Sequence, residues 1–252
     1  MSGTHLDRPE RFEELRTIIQ RKPALTALYR EFYERYTELL TRCPAEGLAL
    51  EIGSGGGFAA DVIPGLVTSD VIPYPGVDRV IDARDMPFEA GSLRAIFLLN
   101  VFHHISDPVA FLREVRRCLA PGGRMLIVDQ HRGLISGPIL QYAHYEPFRP
   151  DAPRWEFESQ GPLSGANGAL AWIVFQRDRH LFEAAFPELA LVRYAPHTPL
   201  RYWLAGGLKP WSLLPGWTFP LATRVDRSLV RLSPRFGSFV DVEVVRRRLP
   251  AP

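Results

Sequence analysis

Apolar side chains recur every three or four residues between Pro9 and Leu40, which is the period of one face of an α-helix. Pro23 interrupts the run, and proline is poorly tolerated inside a helix because it lacks the N–H that the helix needs. We therefore predict two helices that meet at Pro23. The segment 1–44 would form a helical cap whose aromatic stripe packs on the rest of the protein.

From Leu48 onward the apolar positions form short runs of strand length instead. An amphipathic helix at 107–119 and several Gly/Pro-rich turns separate these runs. Because strands that alternate with helices usually form parallel sheets, the pattern predicts an α/β fold. We expect a seven-stranded, mostly parallel sheet with helices on both faces. The predicted strands are 48–52, 66–72, 79–81, 95–99, 125–128, 189–194 and 239–245.

The predicted organisation is one domain over 1–252. Residues 45–130 would form the core of the sheet, and 131–197 would hold an insertion followed by later core elements. Residues 198–235 are rich in Trp, Pro and Arg, and we expect them to form a second insertion before the last strand. That strand and a tail occupy 236–252.

The formal net charge of +2 conceals an uneven distribution. Residues 1–200 contain 21 Lys and Arg against 25 Asp and Glu, a balance of −4, whereas residues 201–252 contain 9 against 3, a balance of +6. The acidic body argues against broad nucleic-acid binding, while the basic end suggests an anionic partner or surface.

Cysteine usage and the chain's apolar runs exclude several classes. Cys43 and Cys118 lie far apart and belong to no Cys/His cluster, so we expect neither structural zinc nor a disulfide framework, and no metal site is predicted. The first residues lack the apolar core of a signal peptide, and no apolar run is long enough to span a bilayer. We therefore expect a cytoplasmic protein; its oligomeric state stays open.

The strongest chemical signal is the run Leu-Glu-Ile-Gly-Ser-Gly-Gly-Gly at residues 50–57. Glycines after a strand let a ligand approach the backbone where side chains would collide, and the turn from strand to helix is where open α/β sheets bind ligands. A dinucleotide fingerprint would place a third glycine at Phe58. That departure argues against an NAD-dependent oxidoreductase.

Together with three later segments, this run resembles the class I S-adenosylmethionine (SAM) dependent methyltransferases, and most closely their small-molecule "type 11" group. The later segments are Asp-Ala-Arg-Asp-Met-Pro-Phe at 82–88, Asn-Val-Phe-His-His-Ile at 100–105 and Leu-Ala-Pro-Gly-Gly-Arg at 119–124. The resemblance covers 48–129. It implies a Rossmann-like sheet, SAM as the cofactor and methyl transfer as the reaction.

The resemblance also implies roles for the residues of the glycine run. Gly53, Gly55 and Gly57 would pack against the methionyl and ribosyl parts of SAM. Glu51 would fix the loop and the amino group of the cofactor.

Further cofactor contacts are implied after the third and fourth strands. Asp82 would bind the adenine amino group, and Ala83 would offer its backbone N–H to the ring. Asn100 and Val101 would line the sulfonium end of SAM.

The resemblance assigns the ribose hydroxyls to Asp70, since a carboxylate can accept two O–H donors. Asp70 follows Gly53 by 17 residues, which is shorter than the spacing of about 20 in nucleotide-binding folds. Asp78 is therefore a rival. We favour Asp70 because Leu66–Asp70 has the pattern of a strand.

Transfer of a methyl group to a hydroxyl requires a proton acceptor. His103 is the candidate general base, because it follows the fourth strand at the methyl end and an ordinary imidazole titrates near neutral pH. His104, His131 and His144 are weaker candidates.

The predicted function is methyl transfer from SAM to a small-molecule or lipid-like acceptor, with O-methylation favoured. The segment 202–235 contains Trp residues flanked by cations. Such a segment could make a peripheral contact with a membrane. Alternatively, it could cover the acceptor site, with its arginines exposed to solvent. The alternative function is a non-catalytic, membrane-associated binding or scaffold protein that keeps the methyltransferase fold.

Overall fold

The computed structural model describes residues 10–161 and 164–248. Residues 1–9 of the predicted cap and 249–252 of the predicted tail lie outside the described part, as do 162–163. The strands are β1 Leu48–Ile52, β2 Leu66–Asp70, β3 Arg79–Val80, β4 Leu93–Leu99, β5 Leu119–Gln130, β6 Leu189–His197 and β7 Phe239–Arg246.

The strands form one seven-stranded sheet in the order β3-β2-β1-β4-β5-β7-β6. The first five strands of this order pair in parallel. Strand β7 is antiparallel to both of its neighbours, β5 and β6. The predicted α/β fold with a mostly parallel seven-stranded sheet is confirmed.

Several element ends differ from the predictions. Strand β5 begins at Leu119 instead of Met125, since its pairing with β4 continues through a register shift near Ala95. Strand β6 continues to His197 instead of Tyr194. The third strand is shorter than predicted because only two of its residues pair with β2.

The helices lie on both faces of the sheet and in the two insertions. The helix predicted at 107–119 is present as Pro108–Cys118, and Asp107 caps it by accepting a hydrogen bond from Ala110 N at 2.8 Å. The helices are α1 Arg11–Gln20, α2 Pro23–Leu40, α3 Ala59–Val62, α4 Pro108–Cys118, α5 Ser136–Tyr142, α6 Leu170–Trp172, α7 Arg179–Ala185, α8 Arg201–Leu204 and α9 Phe219–Leu232.

The cap consists of α1 and α2, as predicted. Pro23 is the first residue of α2, where a missing N–H leaves no helical hydrogen bond unmade. The aromatic stripe of α2 is buried on the sheet: Tyr36 stacks on Phe97 of β4 with ring centroids 4.2 Å apart. Phe32 likewise packs against Phe239 of β7 at 5.5 Å. The expected packing of this stripe on the body is confirmed.

Two buried acids of β7 orient the cap through ion pairs. Asp241 lies 2.6 Å from Arg35 of α2, and Glu243 lies 2.8 Å from Arg42 just beyond the end of α2. Both carboxylates are almost fully buried. Because an unpaired buried charge is costly, these pairs favour one placement of α2 over the sheet.

The insertion at 198–235 contains α8 and α9. Arg201 lies inside the protein, with its Nε 2.9 Å from Asp226 and its Nη1 2.8 Å from Glu31 of the cap. The expectation that the arginines of this segment are solvated is wrong for Arg201.

A second contact ties the insertion to the cap. Lys22, at the start of α2, is buried and donates hydrogen bonds to the carbonyl oxygens of Gly207 at 2.6 Å and Lys209 at 3.0 Å. These hydrogen bonds and the ion pair between Arg201 and Glu31 both connect the insertion to the cap. Within the described residues, no helix combines the length and the apolarity needed to cross a membrane.

Candidate functional site

The carboxyl ends of β1, β2 and β4 border a cavity of about 750 Å³. The strand order reverses between β1 and β4, which is where open α/β sheets bind ligands. The volume lies within the roughly 300–1,000 Å³ of small-molecule sites. The cap and both insertions complete the walls, with side chains that include Tyr29, Tyr33, Tyr145, Glu146, Tyr202 and Trp203.

The loop after β1 requires glycine at two positions for different reasons. Gly53 has a φ of +70°, and a Cβ there would lie 2.7 Å from Val101 Cγ1 and closer still to Cγ2. Gly55 has a φ of +46°, but a Cβ there would meet no side chain. The missing side chain of Gly53 therefore lets Val101 pack against the loop, whereas that of Gly55 leaves open space beside the backbone.

Gly57 lines the cavity but also faces the cap. A Cβ at this position would lie 2.5 Å from the hydroxyl of Tyr33, whose oxygen accepts a hydrogen bond from Phe58 N at 3.3 Å. The absent side chain of Gly57 thus makes room for Tyr33. Its packing against the cofactor stays a prediction.

Asp70 stabilises the glycine loop from the end of β2. Its Oδ2 accepts a hydrogen bond from Gly55 N at 3.0 Å, and its Oδ1 accepts one from Ile72 N at 3.1 Å. The rival residue, Asp78, accepts hydrogen bonds from the backbone and the hydroxyl of Thr68, both at 2.8 Å. Asp70 lines the cavity and Asp78 does not, so the structure favours Asp70.

Glu51 places a carboxylate below the loop, in the wall of the cavity. The side chain is buried, and its Oε2 has no hydrogen-bond partner among the described residues. Burial raises the pKa of Glu51 to about 7, although a hydrogen bond from Ser54 opposes the shift. A buried acid with a free oxygen is costly unless a ligand supplies a partner.

Asp82 and Ala83 line the cavity beside β3. The carboxylate of Asp82 is already engaged by Arg84, at 2.7 Å from Nη2 and 2.9 Å from Nε. These hydrogen bonds lower the pKa of Asp82. Any ligand that binds Asp82 must therefore share it with Arg84.

Asn100 and Val101 follow β4 and line the cavity, where Val101 packs against Gly53 of the glycine loop. Asn100 has a φ of +56°, a conformation that Asn tolerates better than most residues. Its Nδ2 is buried and adjoins the hydroxyl of Tyr29, where its hydrogen bond opposes the effect of burial on the pKa of Tyr29. This is a second polar atom in the cavity wall.

His103 lies deeper in the same wall, between two carboxylates. Its Nδ1 is 2.5 Å from Asp129 Oδ1, and its Nε2 is 3.4 Å from Glu146 Oε2. His104 is adjacent, with its Nδ1 3.1 Å from the carbonyl oxygen of Gly165 and its Nε2 3.6 Å from Glu146 Oε1. The two imidazoles thus converge on one carboxylate.

The charges in this cluster correct one expectation. Burial lowers the pKa of His103, but Asp129 and Glu146 outweigh it and raise the pKa to about 10. Burial and the neighbouring charge of His103 lower the pKa of His104 to about 4. Since a protonated ring cannot accept another proton, this raised pKa argues against the predicted role of His103 as general base.

The other two histidines named as weaker candidates differ in position. His144 lines the cavity with its Nδ1 3.7 Å from Glu146. His131 does not line it and instead contacts the hydroxyl of Tyr194 at 3.0 Å.

Asp129 and Glu146 are not among the site residues predicted from the sequence. Asp129 ends the apolar run of β5 at the carboxyl edge of the sheet, a position that could have marked it. Glu146 lies in an irregular stretch of the insertion that follows β5, with no periodicity around it. Only the tertiary structure brings Glu146 to His103.

A family model described as a methyltransferase domain matches residues 50–127, from β1 into β5. Residues 50–127 therefore resemble a methyltransferase domain. The chloroplastic tocopherol O-methyltransferase of Arabidopsis thaliana is 40% identical over 73 residues, which are 29% of this chain and 21% of the relative. The matched part thus spans about a fifth of that relative's length.

Two solved methyltransferases are similar to the chain at low identity. Geranyl diphosphate C-methyltransferase from Streptomyces coelicolor A3(2), solved with Mg²⁺, geranyl diphosphate and S-adenosyl-L-homocysteine, is 17% identical with a TM-score of 0.49, over 88% of this chain and 82% of that one. Phosphoethanolamine N-methyltransferase 2 from Haemonchus contortus, solved with SAM, is 15% identical with a TM-score of 0.44, over 85% and 52% of the two chains.

The residues of the methyltransferase domain fit the cofactor SAM. The unmatched oxygen of Glu51 and the Nδ2 of Asn100 both lie in the cavity wall. Gly55 leaves its side of the loop open. A cationic, polar ligand with a carboxylate of its own would supply partners to both atoms.

Proposed function

We propose that the protein transfers a methyl group from SAM to a hydroxyl of a small, largely apolar acceptor. The observation that carries this proposal is that one cavity joins the glycine loop to an aromatic chamber. Tyr29 of the cap and Tyr202, Trp203 and Trp211 of the second insertion line that chamber. The Arabidopsis relative, named for O-methylation of tocopherol, supports an acceptor of this lipid-like class.

When bound, SAM supplies a methyl group that its sulfonium already activates. In our proposal the glycine loop and Glu51 hold the methionyl end, Asp70 holds the ribose, and Asp82 with Ala83 holds the adenine. Their contribution is orientation, which can account for much of the acceleration of a displacement between two bound partners. The cap and the insertions line the acceptor end of the cavity and would position the acceptor.

Isothermal titration of the full chain with SAM and with its demethylated product tests the cofactor half of the proposal. We expect both ligands to bind with one site per chain. Absence of binding at millimolar ligand would refute the proposal. Turnover is then screened with labelled SAM against hydroxylated aromatic lipids, with the matching methyl ethers as controls that offer no hydroxyl.

Cofactor affinity should depend on pH through Glu51. The pKa of about 7 in the free protein means that the carboxyl is largely protonated below pH 7, whereas a cationic ligand requires the carboxylate. We expect the affinity for SAM to fall by up to tenfold per pH unit below pH 7 and to level off above it.

Calorimetric titrations between pH 5.5 and 7.5 measure this dependence. In the variant Glu51→Gln the affinity for SAM should be weak and should not change with pH. A wild-type affinity independent of pH would contradict the assignment.

We also propose that the second insertion contacts an anionic membrane surface. Leu221, Val225 and Leu232 of α9 are exposed and share one face of the helix by their spacing. Beside that face, Arg224, Arg227 and Arg231 form an exposed row. The preceding turn adds Trp217, which is 85% exposed.

The arrangement favours a bilayer as the occupant of this surface. Exposed apolar side chains with Trp and a row of arginines are typical of helices that lie in a membrane interface. Each arginine near an anionic surface contributes roughly 1 kcal/mol. A second copy of the chain would instead bring two rows of arginines together, which is unfavourable.

Co-sedimentation with vesicles tests the membrane contact. We expect binding to vesicles that contain anionic lipid, weak binding to neutral vesicles, and a loss of at least tenfold in the double variant Trp217→Ser/Leu221→Ser. Leu181→Ser, at an exposed position of α7, is the matched control. Equal binding by the double variant would refute the contact. Vesicle binding by a chain that does not bind SAM would instead support the non-catalytic scaffold.

A further inference from the structure

We propose that His103, His104 and Glu146 bind a divalent transition-metal ion, such as Zn²⁺, at the acceptor end of the cavity. The ligand atoms of the three side chains all lie within 4.8 Å of one another, and all three residues line the cavity. The metal site itself is inferred from the geometry of these three side chains. The further step, in which the ion binds an acceptor oxygen, rests on the proposed function.

The distances suit a tetrahedral ion. Two ligand atoms that each lie roughly 2.1 Å from a tetrahedral ion are about 3.4 Å apart. Here His103 Nε2 is 3.4 Å from one oxygen of Glu146, and His104 Nε2 is 3.6 Å from the other. Small side-chain adjustments would therefore place one cation among the three groups.

The far side of each imidazole is held as a metal-binding histidine requires. A ligating histidine usually donates its other ring N–H to a carboxylate or a backbone carbonyl, which fixes the ring and its tautomer. The Nδ1 of His103 faces Asp129 at 2.5 Å, and the Nδ1 of His104 faces the carbonyl oxygen of Gly165 at 3.1 Å. Both Nε2 atoms therefore face the proposed ion, and binding of that ion would displace the proton that His103 carries on Nε2.

The environment of Glu146 agrees with this assignment. Gln130 Nε2 lies 3.4 Å from Glu146 Oε2, within reach of a weak hydrogen bond that would orient a ligating carboxylate. The other side-chain atom of Gln130, its Oε1, is buried and lacks a partner among the described residues. A water on the ion could donate to that oxygen.

The ligand set selects the class of metal. Two imidazoles and one carboxylate suit zinc or iron(II), whereas magnesium and calcium prefer oxygen ligands. Three protein ligands leave a position open, as in catalytic zinc sites. In the methyltransferase, that position faces the cavity and would take an acceptor oxygen such as a phenol or an enol.

The balance of the proposed reaction needs no further reagent. The acceptor hydroxyl loses its proton to water, and its oxygen forms a bond to the methyl carbon. The bond between that carbon and sulfur breaks, and the electron pair stays on sulfur. A cation at the acceptor oxygen favours this course because it lowers the pKa of the hydroxyl.

Titration of metal-free protein with Zn²⁺ and with Co²⁺ tests the site without reference to turnover. We expect one ion per chain, with visible Co²⁺ absorption of tetrahedral intensity. Glu146→Gln and His104→Gln should each weaken binding at least tenfold. Asp129→Asn, which alters only the residue that orients His103, should weaken it by about 10–100-fold. His180→Gln, at an exposed histidine of α7, is the control and should bind as the wild type does.

Each outcome separates the metal site from the proposed function. Loss of metal binding in the cluster variants, with SAM binding retained by calorimetry, supports the site. Failure of the wild type to bind either ion at millimolar concentration, or unchanged binding in both cluster variants, refutes the metal site and leaves the cofactor proposal intact. Metal binding without SAM binding would refute the cofactor proposal alone.

Discussion

Replacement of Gly53 by alanine should raise the dissociation constant for SAM at least tenfold, which corresponds to about 1.4 kcal/mol. The φ of +70° costs an L-residue roughly 1–2 kcal/mol. In addition, the new Cβ would lie within 3 Å of Val101 Cγ1, so the loop must move away from β4. Calorimetric titration measures the affinity, and thermal unfolding measures the accompanying loss of stability.

Gly65→Ala is the matched control for this variant. Gly65 has a similar φ of +75°, but nothing lies within 4 Å of the position a Cβ would take. The control should lose comparable stability from its backbone conformation and should bind SAM normally. The double variant Gly53→Ala/Val101→Ala should recover part of the affinity. Equal losses of affinity in Gly53→Ala and Gly65→Ala would contradict the assignment of the clash.

Arg201→Met should destabilise the protein by about 3–5 kcal/mol, since it leaves Asp226 as an unpaired buried charge. Arg201 and Asp226 are 4% and 2% exposed, and Arg201 also binds Glu31 of the cap at 2.8 Å. Urea denaturation measures the change in the free energy of unfolding. The double variant Arg201→Met/Asp226→Leu should recover much of the loss, because it removes both charges together.

An exposed ion pair provides the comparison. Arg179 lies 2.7 Å from Glu183 on α7, and both side chains are about half exposed. Arg179→Met should change the free energy of unfolding by no more than about 0.5 kcal/mol. A cost below 1 kcal/mol for Arg201→Met would show that Arg201 does not hold the insertion in place.

The cofactor half of the site was largely predictable from the sequence. The residues of 50–57, Asp70 and Asn100 lie at or just beyond the carboxyl ends of strands. The carboxyl ends of neighbouring parallel strands meet at one edge of the sheet. Periodicity was sufficient to place those strands. The roles of these residues toward SAM stay predictions.

The acceptor half was not predictable in the same way. Glu146 reaches His103 across 43 positions of chain, and no local pattern records that approach. Burial of Arg201 likewise depends on Asp226 and Glu31, which lie on different elements. The raised pKa of His103 follows from two carboxylates that the tertiary structure places beside it. Hydrophobic periodicity does not predict ionic contacts between residues that lie far apart in the sequence.

The antiparallel pairing of β6 with β7 has an evolutionary consequence. Antiparallel neighbours can be joined by as few as two residues, so the sheet does not depend on the length of the connection between His197 and Phe239. Each doubling of a flexible connection costs only about 0.6 kcal/mol in closure entropy. Selection can therefore lengthen, shorten or exchange this connection while the residues of 50–127 stay unchanged. One catalytic scaffold can in this way acquire new substrates through a single exchangeable segment.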